Sequence, residues 1–295
     1  IKQSIGAQEM SRKGISDVEE GLTKITGITK VESKGLFIRG LEDRYNNLLI
    51  NGLAVPSNSP FKKIIPLDQF PTDVVGYMDV YKTFNPDIYG DFAGATIDVT
   101  TIQPSESKTK LTYGVGYTTN NNLNDFLLSS DADNTKSFFG FGGKERNLPS
   151  SYGSIPNGKI ANDYKSTWDV EKIKAPLNTS FGVSHAGKFH IGKNQNKLNY
   201  IIATNFDNTY QFREGVDRTF SQGGGFYENN LIRKSYKFKT EASTLAGLNY
   251  KTDRVKLFYN GFYLKSTENL IQDQVGYTRN AVDNPNEFIR LNQYE

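Results

Sequence analysis

The chain contains no cysteine and only two histidines, His185 and His190. The first absence removes both a disulfide framework and a thiolate metal site, and it leaves the redox compartment open. The second excludes a multi-histidine metal centre. Neither sign of charge dominates. Thirty-five Lys and Arg against 32 Asp and Glu give a net charge of +3, too small a basic field for a nucleic-acid-binding domain. No stretch approaches the about 18 continuous apolar residues of a membrane helix, and the mean hydropathy is −0.56. A nucleophile, base and orienter cannot be assembled from so few histidines and no thiol. The sequence therefore predicts no enzyme, no catalytic residue, no metal and no cofactor.

Aromatics and glycine are plentiful. The 295 residues include 17 Tyr, 19 Phe and 27 Gly beside many Asn, a profile suited to strands and turns. That length holds one large or two ordinary domains. The chain begins at Ile1 with no signal-peptide pattern, so an upstream segment is expected. A composition break near 102–108 divides it into residues 1–101 and 102–295.

The first part reads as an α+β unit of about four strands. In "GISDVEEGLTKITGI", Ser16 and Glu19 have capping-box spacing, and Val18, Leu22 and Ile25 follow at helical intervals, which predicts a helix over 16–26 closed by Gly27. "GLFIRG" and "NNLLING" read as strands, and so do the alternating "YMDVYKT" and "GATIDVTT". "PLDQFPTDVVGY" predicts one or two helical turns capped by Thr72 and Asp73. Two strands end in matching devices, Arg39-Gly40 and Asn51-Gly52. Gly40, Gly52, Gly90 and Gly94 are read as turn glycines.

The second part alternates with period two. In "KLTYGVGYT", Leu111, Tyr113, Val115 and Tyr117 oppose Thr112, Gly114, Gly116 and Thr118. "LNYIIATNF" sets Leu198, Tyr200, Ile202 and Phe206 against Asn199, Ala203 and Asn205. "YKFKTEASTLAGLNYK" sets Tyr236, Phe238, Ala242, Ala246, Leu248 and Tyr250 against Lys237, Lys239, Glu241, Ser243 and Asn249. "VKLFYNGFYL" is apolar on both faces and leaves its orientation open. The predicted strands lie at about 109–118, 179–186, 197–211, 236–250 and 255–265, with a sixth starting at 288 in "EFIRLNQYE". A soluble sandwich and a transmembrane barrel both produce such alternation. The predicted connections 119–178, 212–235 and 266–287 are long, whereas those near 190 and "KTDR" are short. Sorting of loop length by end is a barrel property, with long loops outside and short turns in the periplasm. An open six-stranded sheet would leave edge backbone groups unpaired in hydrocarbon, so a piece of a larger barrel is expected.

Six motifs in fixed order resemble the plug of TonB-dependent outer-membrane receptors: "GLTKITGI", "LFIRGL", "RYNNLLINGL", "IIPLDQFP", "MDVYKTFNPD" and "YGDFAGATIDVTT". "RYNN" and "VYKTF" with "PD" resemble the branch common in Bacteroidota, and "FFGFGGKERNLPSS" is similar to that branch's first extracellular loop. The likeness is strong over about 14–101 and looser beyond. It implies an α+β plug domain followed by the N-terminal part of an antiparallel transmembrane β-barrel, of about 22 strands in full. The implied location is the bacterial outer membrane, in contact with outer-membrane lipid, with the plug in the barrel lumen and long loops outside. The implied activity is uptake of a siderophore, haem, vitamin, glycan or peptide, energised by the TonB-ExbB-ExbD complex, with a surface lipoprotein or another outer-membrane subunit as a further partner. No TonB box is evident in "IKQSIGAQEMSRKG".

A non-transporting structural subunit and a soluble β-rich binding or adhesion module are the alternatives. Candidate ligand contacts are Arg39, then Pro56, Ser57, Asn58, Ser59 and Phe61 in one loop, and Tyr89 and Phe92 in another. For Arg39 an ion pair within the plug or to wall residues such as Lys237, Lys239 and Glu241 is the competing reading, and for the loops plain solvation. "SFFGFGGKERN" and Trp168 are read either as an aromatic ligand or partner surface, or as a self-packed loop.

Overall fold

The computed structural model describes residues 2–15, 17–31, 35–57, 62–65, 67, 70, 72–102, 106–142, 168–192, 196–221, 223, 227–279 and 287–294. The chain divides into two compact units. One comprises 1–111, 182–205 and 243–264; the other comprises 112–181, 206–242 and 265–295.

In the first unit a five-stranded sheet is built from β1 (Lys2–Gly6), β4 (Asn47–Ile50), β5 (Leu53–Ala54), β6 (Val75–Tyr81) and β7 (Thr96–Thr101) in the order β1-β6-β7-β4-β5. β6 is antiparallel to β1 and β7, while β4 runs parallel to β7. Helices α1 (Ala7–Arg12) and α2 (Val18–Thr23) and the hairpin β2 (Ile28–Val31) with β3 (Gly35–Ile38) complete it. Met10, Val18, Leu22, Ile38, Val75, Met78, Val80, Ile97 and Val99 form a continuous apolar core. Because strand side chains alternate between faces, Met78 and Val80 enter this core while Tyr77, Asp79 and Tyr81 share the other face with Asp98 and Thr100.

The cap of α2 differs from the capping-box reading. Asp17 is the N-cap, accepting from the Glu20 amide at 2.8 Å; Ser16 lies outside the described residues. A carboxylate at that position accepts the orphan amide and also complements the helix dipole. The two glycine-tipped strands share a physical explanation. Arg39 and Gly40 have φ of 55° and 75°, and Asn51 and Gly52 have 51° and 77°. Two successive left-handed residues are what a two-residue type I′ turn requires. Ile38 and Leu41 exchange two 3.0 Å backbone hydrogen bonds around the first turn, and Ile50 pairs with Leu53 around the second.

Six further strands form one sheet in the order β15-β14-β13-β12-β11-β8: β8 (Lys108–Gly116), β11 (Asn178–Ile191), β12 (Asn196–Phe220), β13 (Tyr227–Lys251), β14 (Lys256–Thr278) and β15 (Glu287–Tyr294). They follow one another in the sheet as they do along the chain. Their first-unit segments bring Ile201, Ala203 and Leu245 into the core, with Phe262 stacked on Phe70 at 4.7 Å. On β14, whose orientation the sequence left open, Leu257, Tyr259 and Tyr263 are exposed, whereas Phe262 and Leu264 pack inward.

The second unit corrects the loop assignments. The predicted loop 119–178 contains the hairpin β9 (Asp125–Ser129) with β10 (Val170–Lys174) and the short helix α3 (Thr135–Phe138). The predicted loops 212–235 and 266–287 are largely strand: β12 continues to Phe220, β13 starts at Tyr227, and β14 continues to Thr278. Charged and polar residues interrupt the apolar positions of these extensions, Phe212, Val216 and Phe220 on β12 and Leu231 on β13, so the apolar alternation is too broken to reveal them. Cross-strand pairs hold them instead, Arg233 to Asp217 at 3.6 Å, Lys234 to Glu214 at 3.8 Å and Arg218 to Asn230 at 2.9 Å. The contrast between long and short connections is accordingly smaller than the sequence suggested. Tyr236 and Phe238 also depart from the expected outward face. They pack with Tyr210 against Phe126, because the hairpin folds back and supplies an apolar partner. Lys237 pairs with Glu268 at 2.7 Å, and Lys239 with Glu241 at 2.5 Å.

Candidate functional site

The five-stranded sheet has two distinct ends. At one, the β4–β5 turn places Asn51 against Thr101 and gives the Gly52 amide to Asp98 at 3.0 Å. At the other, three loops meet, those around 42–47, 62–64 and 82–95. Asp43 accepts from the amides of Lys63 and Ile64, both at 3.1 Å. The fully buried Asn46 donates to the Glu42 carbonyl at 3.0 Å and accepts from the Ala95 amide at 2.9 Å. Asn47 donates to Asp91 at 2.6 Å, and Lys63 lies 3.9 Å from the same carboxylate. The Tyr45 carbonyl takes the amides of Ala93 and Gly94. Gly94 is required here, because a Cβ would overlap the Asn46 amide oxygen. A buried amide satisfied on both its ends fixes loop geometry more firmly than apolar contact does.

Several of the sequence candidates gather at this end. The turn carrying Arg39 lies beside it: a Cβ on Gly94 would stand 3.5 Å from the Ile38 carbonyl, and the Arg39 amide donates to Gly27 at 2.9 Å. The Arg39 guanidinium is exposed and has no ion-pair partner among the described residues. Lys82, held by the Thr26 carbonyl and Gln3, is pushed below the usual lysine range by burial and then by the Arg39 cation. Tyr89 is 57% exposed, Phe92 half-buried, Pro56 exposed and Ser57 half-buried. Asn58, Ser59 and Phe61 lie outside the described residues. Phe84 (70% exposed) and Tyr45 (42%) add rings that the sequence reading passed over, and Arg44 lies over the Tyr45 ring at 5.9 Å. Asp43, Asn46 and Asn47 were also missed as tying residues, although "DRYNN" holds all three.

The aromatic loop is partly self-packed. Phe138 meets Phe139 at 5.1 Å, and Phe139 meets Phe206 at 5.3 Å. Phe141 stays 62% exposed under Lys265, and Trp168 is 84% exposed. His185 is bracketed by Thr109 at 2.7 Å and Tyr200 at 2.6 Å, which occupies both ring nitrogens. Among the described residues no three His, Asp or Glu side chains could together hold a metal ion, and no helix is long and apolar enough to cross a membrane.

Residues 1–97 match the family described as TonB-dependent Receptor Plug Domain. No curated protein matches. Among solved structures, a mutant ferric enterobactin receptor from Pseudomonas aeruginosa is 14% identical with a TM-score of 0.38, covering 92% of this chain and 45% of its own. The ferric-catecholate import receptor Fiu of E. coli K12 is 10% identical with a TM-score of 0.31, covering 94% and 50%. The copper transporter OprC is 11% identical with a TM-score of 0.32, covering 98% and 48%. The chain thus spans about half the length of these structures, and likeness this distant carries no argument. The plug-domain match rests on sequence, and it covers β1 to β6, the first two residues of β7, the helices α1 and α2 and the loop cluster. Residues 1–97 thus match a TonB-dependent receptor plug domain, and antiparallel strands follow them.

Proposed function

We propose that this chain is the plug and first barrel strands of a bacterial outer-membrane receptor that imports a scarce ligand with energy from the TonB-ExbB-ExbD complex. The observation that carries this reading is the plug-domain match over residues 1–97. The exposed apolar side chains along the following strands, among them Leu111, Tyr113, Ile202, Leu257 and Tyr259, support a lipid-facing wall. The plug domain is residues 1–101 and the wall 102–295. In this reading Arg39, Pro56, Ser57, Tyr89 and Phe92 meet the ligand at the tied-loop end, and Asn58, Ser59 and Phe61 extend that surface. An exposed guanidinium beside a second cation and three exposed rings suits an anionic, ring-bearing ligand. The Bacteroidota branch rests on the "RYNN" and "VYKTF" motifs with "PD" and on "FFGFGGKERNLPSS". A surface lipoprotein or another outer-membrane subunit is the further partner in this reading.

The test begins with mass spectrometry of whatever co-purifies with the full-length protein. Uptake of that molecule by cells should depend on the receptor and stop when TonB is removed. Uptake that continues undiminished without TonB overturns the proposal.

A further inference from the structure

Asp79 on β6 and Asp98 on β7 stand directly opposite one another in the antiparallel register. Opposed residues of such a pair share a face with Cα atoms about 4.5–5.5 Å apart, and like charges there repel. Asp79 is also only 4% exposed, so its charge needs compensation from within the fold. That compensation comes from one element. The Lys2 ammonium lies 2.7 Å from Asp79 Oδ2, and the Ser4 hydroxyl donates to Asp79 Oδ1 at 2.5 Å. Both residues belong to β1, which sits at the sheet edge with β6 as its one strand neighbour among the described residues. Asp98 is held from elsewhere, by the Gly52 amide.

We propose that β1 is a proton-linked cap: docked, its Lys2 ammonium and Ser4 hydroxyl offset the repulsion between the opposed Asp79 and Asp98 carboxylates, and its departure from the sheet edge favours uptake of a proton by the pair. When β1 leaves, the pair loses the Lys2 ammonium and the Ser4 hydroxyl together. Two facing carboxylates without a cation then titrate as one coupled site, taking up the first proton more readily than either does under the cap. The docked arrangement is already poised. The Asp98 carboxyl is raised above its usual range, chiefly by burial, with the Asp79 charge adding to the rise while the Gly52 amide and Lys2 oppose it.

The other groups on this face do not supply a replacement charge. Tyr77 and Tyr81 flank Asp79 on β6, and Thr96 and Thr100 flank Asp98 on β7. Leu49 of β4 pairs with Asp98. The cleft of about 480 Å³ that reaches Tyr77 and Asp98 is closed by Asn199, Tyr200, Asn249, Phe258 and Asn260, with no cation among its described lining residues. Lys82 loses Gln3 when β1 leaves but stays tied to the Thr26 carbonyl.

The sign follows from linkage. The open state binds more protons than the docked state, so acid favours opening and neutral pH favours docking. Hydrogen exchange of the Gln3–Gly6 amides in the full-length protein, corrected for intrinsic rates, reads the open population. Between pH 7 and 5 it should rise, by up to about tenfold per pH unit while one proton is taken up. Asp98→Asn keeps an oxygen for the Gly52 amide and should flatten that dependence. Lys2→Gln should raise opening severalfold at pH 7. Opening that ignores pH, or a dependence that persists unchanged in Asp98→Asn, overturns the proposal.

Discussion

Arg39 and Asn51 occupy equivalent positions, each the first left-handed residue of a type I′ turn. Asn tolerates that conformation and an arginine does so only under constraint, at a cost of order 1 kcal/mol. Asn-Gly announces its turn from sequence; Arg-Gly does not, since nothing in an arginine favours positive φ. An arginine in that conformation, with an exposed guanidinium and no ion-pair partner among the described residues, suits the ligand contact proposed above. Arg39→Asn should therefore raise plug stability by about 0.5–1 kcal/mol in denaturant unfolding, while ligand affinity in the same full-length protein falls. A variant that binds as well as the parent removes Arg39 from the ligand surface. Gly94 is the opposite case, a residue whose absence of side chain is used. Gly94→Ala displaces the Asn46 amide and unsettles a buried group with two hydrogen bonds, for a loss of about 1–3 kcal/mol. Proteolysis of the loops at 42–47 and 82–95 should accelerate accordingly, and unchanged protection would show that the loops do not depend on Asn46.

At the scale of elements, legibility followed apolar patterning and stopped where patterning stopped. The α2 stripe and the alternation of β6 and β7 are plain in the sequence, because each buries a face. β1 is not, since Ile5 is its only buried residue and its position is set by pairing with β6 and by Lys2, a tertiary ion pair. The same holds for the hairpin of β9 and β10, placed by Phe126 and Leu128 on one side and by charge on the other. Asp125 accepts from Lys172 and Lys174, each at 2.6 Å, and its carboxyl is lowered to about 2 by those two lysines. A depressed carboxyl contributes stability above its unfolded value of about 3.9, which is lost as pH falls through the folded value. Exchange at the β10 amides should therefore quicken between pH about 4 and about 2. Asp125→Asn should remove that dependence, as should high salt, since the site is fully exposed. Exchange that is flat across this range in the parent protein would place the lysines as solvated neighbours without effect.

For the molecule as a whole, the decisive fact is the pair of free edges. The six-stranded sheet begins at β8 and ends at β15, and neither outer edge is paired among the described residues. Leu111, Tyr113, Val115, Leu257, Tyr259 and Tyr263 are meanwhile exposed along its strands. In water such a surface associates; in hydrocarbon the unpaired edge amides and carbonyls cost several kcal/mol each. Both penalties disappear only when the sheet closes on further strands. The 295-residue chain alone should therefore fail to insert in lipid vesicles and should self-associate. The full-length protein should fractionate with the outer membrane and migrate faster on SDS gels before boiling than after, as closed barrels do. Recovery of the full-length protein as a soluble monomer without detergent would instead favour the β-rich binding module, with the exposed apolar faces waiting for a protein partner.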